Sequence, residues 1–375
     1  MHILVAPNAF KNSLDAWQVA QALGEGLAQS NLECTTQLFP VADGGDGTGS
    51  LIVKSCRGLI ITKEVAGPVG RKITSQFGLI ENRATAIIEM ADASGLRLLK
   101  EGERNPLKAS SFGTGQLIKF ALDEGVKRII IAMGGSATVD GGCGILSALG
   151  VVFRDANGDS LAAYPENLVN MASIDATRLD ERIHGCEVVI LCDVNNMLLG
   201  PNGAAAVFGP QKGASAEDVT VLERFLKRFA QITLAQTGKD MTAIKHGGAA
   251  GGATAGLYAW LNARLEDGIG YFLSLTNFKD ALQQAGIVIT GEGSIDRQTL
   301  QGKGPYGVAL LAKQAGLKVI GVAGLIPSEP DEELNRYFDE LISINEPNIA
   351  LATALAITRV NLVKAGKKIG NMLAG

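Results

Sequence analysis

Three glycine-rich loops each follow directly on a short apolar run, and this placement constrains the chain more than any other feature. Gly134-Gly135-Ser136-Ala137-Thr138 follows Arg128-Ile-Ile-Ile-Ala-Met, and Gly291-Glu292-Gly293-Ser294 follows Ile287-Val-Ile-Thr. Asp43-Gly44-Gly45-Asp46-Gly47-Thr48 follows a short strand-like segment. Glycine permits positive φ and lets backbone approach a ligand closely. Strand-to-helix loops are where open α/β sheets bind their ligands. Gly supplies 47 of 375 residues, nearly twice the ordinary ~7%, so the excess needs a location. For any single loop, a tight turn is the simpler explanation. Several such loops, each also carrying Asp, Ser, Thr or Lys, point together to a phosphate-handling cleft.

The rhythm along the chain sets the fold class. Residues 2–7 read as a strand, Ser13 as the N-cap of the helix that follows, and residues 35–41 as a second strand. This βαβ opening predicts a parallel sheet. Residues 73–80 and 85–90, separated by Glu81-Asn82-Arg83-Ala84, predict an antiparallel hairpin. Strands at 128–132 and 187–192 and helices at 216–237 and around 257–264 fill the middle. The α/β rhythm returns with a strand at 287–290, a helix near 306–315 and a strand at 318–323. A last strand near 340–344 and a helix over 348–365 complete it. The expected fold is α/β with two domains: a discontinuous, Rossmann-like parallel-sheet domain (1–65 and 285–375) and an inserted mixed α+β domain (66–284).

Composition removes several classes. Hydrophobic residues at 46% against 19% charged exclude wholesale disorder. A net charge of −4 leaves no electrostatic footprint for nucleic acid or an anionic membrane. The longest uncharged stretch, 247–263, is built from Gly and Ala and is too short for a membrane span. No secretory pattern opens the sequence, so a soluble, cytoplasmic protein is expected. Five scattered cysteines form no C-x-x-C pair and no H-E-x-x-H occurs, which argues against zinc and for reduced thiols. There is no Walker P-loop, and no G-x-G-x-x-G opens the first βαβ unit. The 134–138 loop is close to a nucleophile elbow, but Thr138 stands at its last glycine. His2, His184 and His246 keep no triad spacing, and His246, beside Gly247-Gly248, reads as structural or exposed.

What remains is a surplus of carboxylates and lysines on glycine loops: Asp43, Asp46, Asp140, Asp193, Glu292, Asp296, Lys11, Lys212 and Lys303. Phosphoryl transfer uses this kit. Carboxylates align the attacking hydroxyl, take its proton and hold Mg²⁺, while lysines and backbone N–H groups neutralise developing charge. Any one such Asp could instead cap a helix or close a turn.

Several of these segments resemble the bacterial glycerate kinase family. They are Ala6-Pro7-Asn8-Ala9-Phe10-Lys11-Asn12-Ser13-Leu14, Pro40-Val41-Ala42-Asp43-Gly44-Gly45-Asp46-Gly47-Thr48 and Gly134-Gly135-Ser136-Ala137-Thr138-Val139-Asp140-Gly141-Gly142. Cys192-Asp193-Val194-Asn195-Asn196, Leu199-Gly200-Pro201 and Phe208-Gly209-Pro210-Gln211-Lys212-Gly213-Ala214 are similar to the same family. So is the run from Ile289-Thr290-Gly291-Glu292-Gly293-Ser294-Ile295-Asp296 to Gly302-Lys303. The resemblance runs in order over nearly the whole chain. It implies ATP-dependent phosphorylation of D-glycerate with Mg²⁺, usually giving the 2-phosphate, by a two-domain protein with its active site in the cleft. Asn8 and Ala9 stand where many members carry Asp and Ser, Asn195 replaces a common Asp, and Gln301 replaces a frequent His.

Candidate roles follow from residues and resemblance together. Lys11 contacts the substrate carboxylate or a phosphate, or is simply an exposed lysine ahead of a helix N-cap. Asp43 and Asp46 hold Mg²⁺ or a substrate hydroxyl at a helix start, or one of them only caps that helix. Gly134, Gly135, Ser136 and Thr138, with Gly291, Glu292 and Gly293, cradle phosphate, against the alternative of tight strand–helix connections. Asp193 or Asp296 accepts the glycerate hydroxyl proton, and Lys303 stabilises the phosphoryl group in flight. Closure of the cleft before reaction is expected, because water competes for the phosphoryl group. The competing functions are a kinase for another short hydroxy acid and a non-catalytic small-molecule sensor.

Overall fold

Short Val/Ile-rich runs bounded by glycine and proline become strands, and in the computed structural model, which describes residues 1–329 and 331–375, they form three sheets. The chain divides into two compact units, Met1–Asp43 with Asp267–Gly375, and Gly44–Glu266.

The first unit is built on five parallel strands in the order Glu340–Ser343, Lys318–Leu325, Ile287–Ser294, His2–Val5, Thr35–Leu38. From the His2–Val5 strand the chain steps one way to Thr35–Leu38. The later strands build outward on the other side. A topological switch point therefore lies at the carboxyl ends of His2–Val5 and Ile287–Ser294. Ile3, Val5, Ile289, Ile320 and Val322 are buried, as a sheet covered on its faces requires.

The helix Ala16–Ala28 begins later than the sequence suggests. Its N-cap is Asp15, in a reciprocal capping box with Gln18. Ser13 instead donates its hydroxyl to the Leu355 carbonyl at 2.8 Å, because Phe10 and Leu14 first close a tight backbone bridge. This helix packs on Leu351–Ala374 through glycine. A Cβ at Gly26 would run into the Val363 carbonyl oxygen, and one at Gly366 into that of Leu23. Helix propensity alone predicts that Gly26→Ala stabilises by about 1 kcal/mol. The packing predicts the opposite sign, a loss of about 1–3 kcal/mol seen as a lowered melting midpoint, because backbone must separate.

The second unit centres on a six-stranded sheet in the order Arg264–Asp267, Glu187–Cys192, Arg128–Ala132, Thr85–Glu89, Lys72–Ile80, Leu59–Ala66. Glu187–Cys192, Arg128–Ala132 and Thr85–Glu89 run parallel, whereas Lys72–Ile80 is antiparallel to both its neighbours. The hairpin expected from the sequence is therefore present. A small sheet of Ser160–Leu161, Val152–Arg154 and Ser173–Asp175 stands apart. The Ser215-capped helix Ala216–Thr237 stacks Phe225 on Phe229 in the core.

The boundaries between units differ from those expected at 65/66 and 284/285. Leu59–Ala66 pairs along its whole length with Lys72–Ile80, which places residues 44–66 in the inserted unit. Helices Gly268–Leu275 and Phe278–Gln284 belong to the first unit, where Phe278 meets Phe39 edge-on at 5.2 Å. Other limits also move. The strand read as 287–290 runs on to Ser294, pairing Gly291 with Val322 and Glu292 with Ala323, so the glycines there are strand rather than loop. The helix read as 257–264 is Ala253–Leu261, ended by Asn262 in the left-handed region. The final helix is Leu351–Ala374. Among the described residues, no helix is long and apolar enough to cross a membrane.

Candidate active site

Within the first unit, the carboxyl edge of the parallel sheet gathers side chains from well-separated segments. Beyond Val5 the chain stays extended, with Ala6 N–H donating to the Ile289 carbonyl and Asn8 N–H to that of Gly291. This holds Asn8 beside Asp43, whose Oδ2 accepts from Asn8 Nδ2 at 2.8 Å. The same oxygen accepts from Gly304 N at 3.2 Å, at the first turn of the helix Gly304–Gln314. Asp43 is 7% exposed, and its charge is matched to the positive helix end. Glu292, also buried, accepts from the Thr299 hydroxyl at 2.8 Å. Burial pushes its carboxyl up to about 7; Lys303 opposes the shift most, the Thr299 bond and Lys11 also oppose it, and Asp43 adds to it. Lys11, Asp43, Glu292 and Lys303 thus share one electrostatic field. Lys303 itself is the N-cap residue of Gly304–Gln314.

Asp296 has a different occupation. Its Oδ1 accepts from Gln298 N at 2.7 Å and its Oδ2 lies 3.4 Å from the Ser294 hydroxyl, while its own N–H donates to Thr299 Oγ1 at 3.2 Å. The residue closes the turn that presents Thr299 to Glu292. Its carboxylate is therefore a poor choice for the base nominated from the sequence.

In the second unit, three parallel strands end at one edge with Glu89, the 133–138 loop and Asp193. The sequence offers Asp43 and Asp46 for the start of the helix Thr48–Ser55, but the carboxylate there is Glu89. It accepts from Gly47 N and from Ser50 N at 3.3 Å. Burial pushes Glu89 up to about 7; the Gly47 bond opposes this, and Asp92 and Asp46 add to it. Asp46 is spent on Arg97 at 2.7 Å, and Arg97 also bonds Asp92.

The expected phosphate cradle is packed from within. A Cβ at Gly134 would collide with the Asp46 backbone, and Gly135 sits at φ 71°. These glycines let the 134–138 loop lie against the Gly45-Asp46 turn. Lys212, 3% exposed, pins the loop by donating to Ser136 Oγ and to the Thr138 carbonyl, both at 2.8 Å. Burial lowers its ammonium to about 7, while Asp140 pulls it back up. Asp140 is fully buried and accepts from Ser111 N, Ser111 Oγ, Gly142 N and Gly144 N. Its burial raises the carboxyl against those four hydrogen bonds. Asp193 is half-buried just past its strand, and His246 Nδ1 steadies the next residue through the Val194 carbonyl at 2.6 Å.

The proposed metal pair does not fit a cation. Asp43 Oδ2 is taken by two N–H donors and Asp46 by a guanidinium, and hard-cation sites want carboxylate oxygens turned to the ion. Among the described residues, no group of three or more His, Cys, Asp or Glu could hold a metal. Sequence reasoning also missed Glu89, Asn8 and Thr299 as site-forming groups. Glu89 had a readable signal: it is the only charge in the run from Ala84 to Ala91.

Comparison with known proteins gives the same answer from several directions. The family model described as "Glycerate kinase family" matches residues 3–374. A glycerate kinase of Halalkalibacterium halodurans is 45% identical over 322 residues, covering 86% of this chain and 85% of that protein. The Escherichia coli K12 protein named glycerate 2-kinase is 38% identical over 374 residues, covering 100% of this chain and 98% of its own. A crystal structure from Salmonella typhimurium LT2, provisionally described as glycerate kinase 2, superposes with a TM-score of 0.84 at 40% identity, covering 100% of this chain and 98% of that one. With a match from residue 3 to residue 374 and relatives of this identity along the full length, the chain belongs to the glycerate kinase family.

Proposed function

We propose that this kinase transfers the γ-phosphoryl group of ATP to the 2-hydroxyl of D-glycerate, giving 2-phosphoglycerate and ADP. The observation that carries the reading is the shared field of Lys11, Asp43, Glu292 and Lys303 on the carboxyl edge of the parallel sheet. The name of the Escherichia coli relative, glycerate 2-kinase, supports the choice of hydroxyl.

The chemistry divides simply. The glycerate oxygen forms a bond to the γ-phosphorus as the bond from that phosphorus to the β-bridging oxygen breaks. ADP leaves with the electron pair, and the hydroxyl proton passes to a carboxylate. Glu292 suits that last role better than Asp296, because a buried carboxyl near 7 is poised to accept a proton at neutral pH. Lys11 and Lys303 balance charge on the transferring group. Asp43, fixed by Asn8 and Gly304, holds the Gly304 helix start in register with the first strand. Any Mg²⁺ brought in on the nucleotide would supply phosphate-charge neutralisation.

A coupled ADP-release panel tests the substrate: D-glycerate supports turnover, while tartronate, lactate and glycerol give much less. The proton-coupled ³¹P spectrum of the product tests the position. Phosphate on C2 couples to one proton and appears as a doublet; phosphate on C3 couples to two and gives a triplet. A triplet, or equal turnover with lactate, would reject the assignment.

A further inference from the structure

At the carboxyl ends of its strands the first unit holds a cavity of about 780 Å³, and every residue lining it belongs to that unit. This is within the ~300–1,000 Å³ typical of small-molecule and cofactor sites. Its walls include Phe10, Leu325, Ile326, Ile344, Ile349 and Leu355. Three of the four hydroxyls that also line it are turned to backbone. Ser13 donates to the Leu355 carbonyl at 2.8 Å, Thr358 to that of Ala354 at 2.9 Å, and Ser343 to that of Asn345 at 2.9 Å. Much of the wall is therefore apolar surface, with Ser328, Glu346 and Asn348 as further polar lining. One amide is held rigid among them: Asn345 donates to the Gly324 carbonyl at 3.0 Å and accepts from Asn361 at 3.2 Å.

The cavity is polarised. Lys11 and Gly293 form part of its lining, and Gly293 adjoins Glu292, the carboxylate that feels both Lys11 and Lys303. Such a space matches a ligand with a flat, weakly polar head and a polyanionic tail. A three-carbon acid, polar on every carbon, would leave the aliphatic walls unused.

We propose that this cavity binds the adenine and ribose of the phosphoryl donor, with the phosphates leading out past Lys11. The assignment rests on the donor being ATP, as proposed above.

Calorimetric titration of ADP and of inorganic tripolyphosphate into the full-length protein and two variants provides the test. Leu355→Trp places an indole into the cavity from a half-buried helix position. Leu351→Glu alters the rim at a side chain 74% exposed, at the first turn of Leu351–Ala374, where an acid favours the helix and folding is kept. The expected result is a tenfold or greater rise in Kd for ADP with Leu355→Trp and a several-fold rise with Leu351→Glu. Tripolyphosphate, which has no base, should change by less than twofold with Leu355→Trp. If the wild type binds ADP and both folded variants keep its affinity, the cavity assignment is overturned and the donor stands. If D-glycerate affinity falls instead of that for ADP, the cavity belongs to the acceptor and the assignment is likewise overturned. A wild type that binds no adenine nucleotide overturns the donor reading as well.

Discussion

Exchange of Lys303 for Met is expected to lower kcat for the proposed transfer from ATP to D-glycerate by about two to three orders of magnitude. Removing one pre-aimed cation or donor from a charge-developing transition state costs about 10²–10³ in rate. Lys303 stands at the N-cap position of the Gly304–Gln314 helix and supplies the largest charge that opposes the upward shift of Glu292. Its loss therefore has a second signature, a Glu292 carboxyl that climbs further and carries the acid limb of the pH–rate profile upward. Lys11→Met should lower the rate as well. Its weaker pull on Glu292 should move the limb less than Lys303→Met does. Steady-state kinetics across pH, alongside circular dichroism to verify folding, decide the matter. Wild-type kcat in Lys303→Met would remove the lysine from the transfer step.

Glu292→Gln is expected to cost about 10²–10⁴ in kcat/KM, the usual worth of a positioned general base. In the parent protein kcat/KM should rise with pH up to about 7, where Glu292 would give up its proton, and then level. The Gln variant should lack that rise. Asp193→Asn is the control: if it alone abolishes the limb and Glu292→Gln keeps it, the proton goes to Asp193. Stability carries an independent signature with a definite sign. The folded-state carboxyl of Glu292 lies above its unfolded value of 4.5, so the folded chain retains a proton that the unfolded chain has lost. Its contribution is fully favourable below about 4.5 and is lost as pH rises through about 7. The difference is about 3–4 kcal/mol at most, since a tenfold change in proton affinity is worth ~1.4 kcal/mol. Glu292→Gln should flatten the fall in urea midpoint over this window, leaving the similar share of Glu89.

Much of this was readable because hydrophobic periodicity is a local signal. The strands at 128–132 and 187–192 match the structure residue for residue, and the long helix at 216–237 does too. Limits failed where tertiary pairing overrides local composition. Gly291-Glu292-Gly293 looks like a loop, yet parallel pairing with Val322 and Ala323 keeps it extended. Ser13 is a good cap by type, but the Phe10–Leu14 bridge delays the helix to Asp15. The domain joins were misplaced because nothing in residues 48–66 says which sheet will take them.

The candidate site was legible as a set of residue types and less so as roles. Lys11, Asp43, Glu292 and Lys303 could be named from loops alone, but their mutual field comes from strand order, which spacing does not encode. Asp296 and Glu292 are both acids on the same segment. Only burial and the Thr299 hydrogen bond tell the poised carboxyl from the one closing a turn. The glycines at 134 and 135 fit a phosphate cradle or a tight connection by sequence, and their close packing on the Gly45-Asp46 turn supports the tight connection.

The glycine contact between the helices Ala16–Ala28 and Leu351–Ala374 has a consequence for how the polypeptide matures during translation. Residues 44–266 are contiguous and can condense while the ribosome is still working. The other unit must wait, since its opening strand and helix lack their neighbours until the last helix emerges. Completion of the first unit is thus the final folding event of a nascent chain, and a message cut short before codon 351 leaves that unit without the helix that closes on Ala16–Ala28.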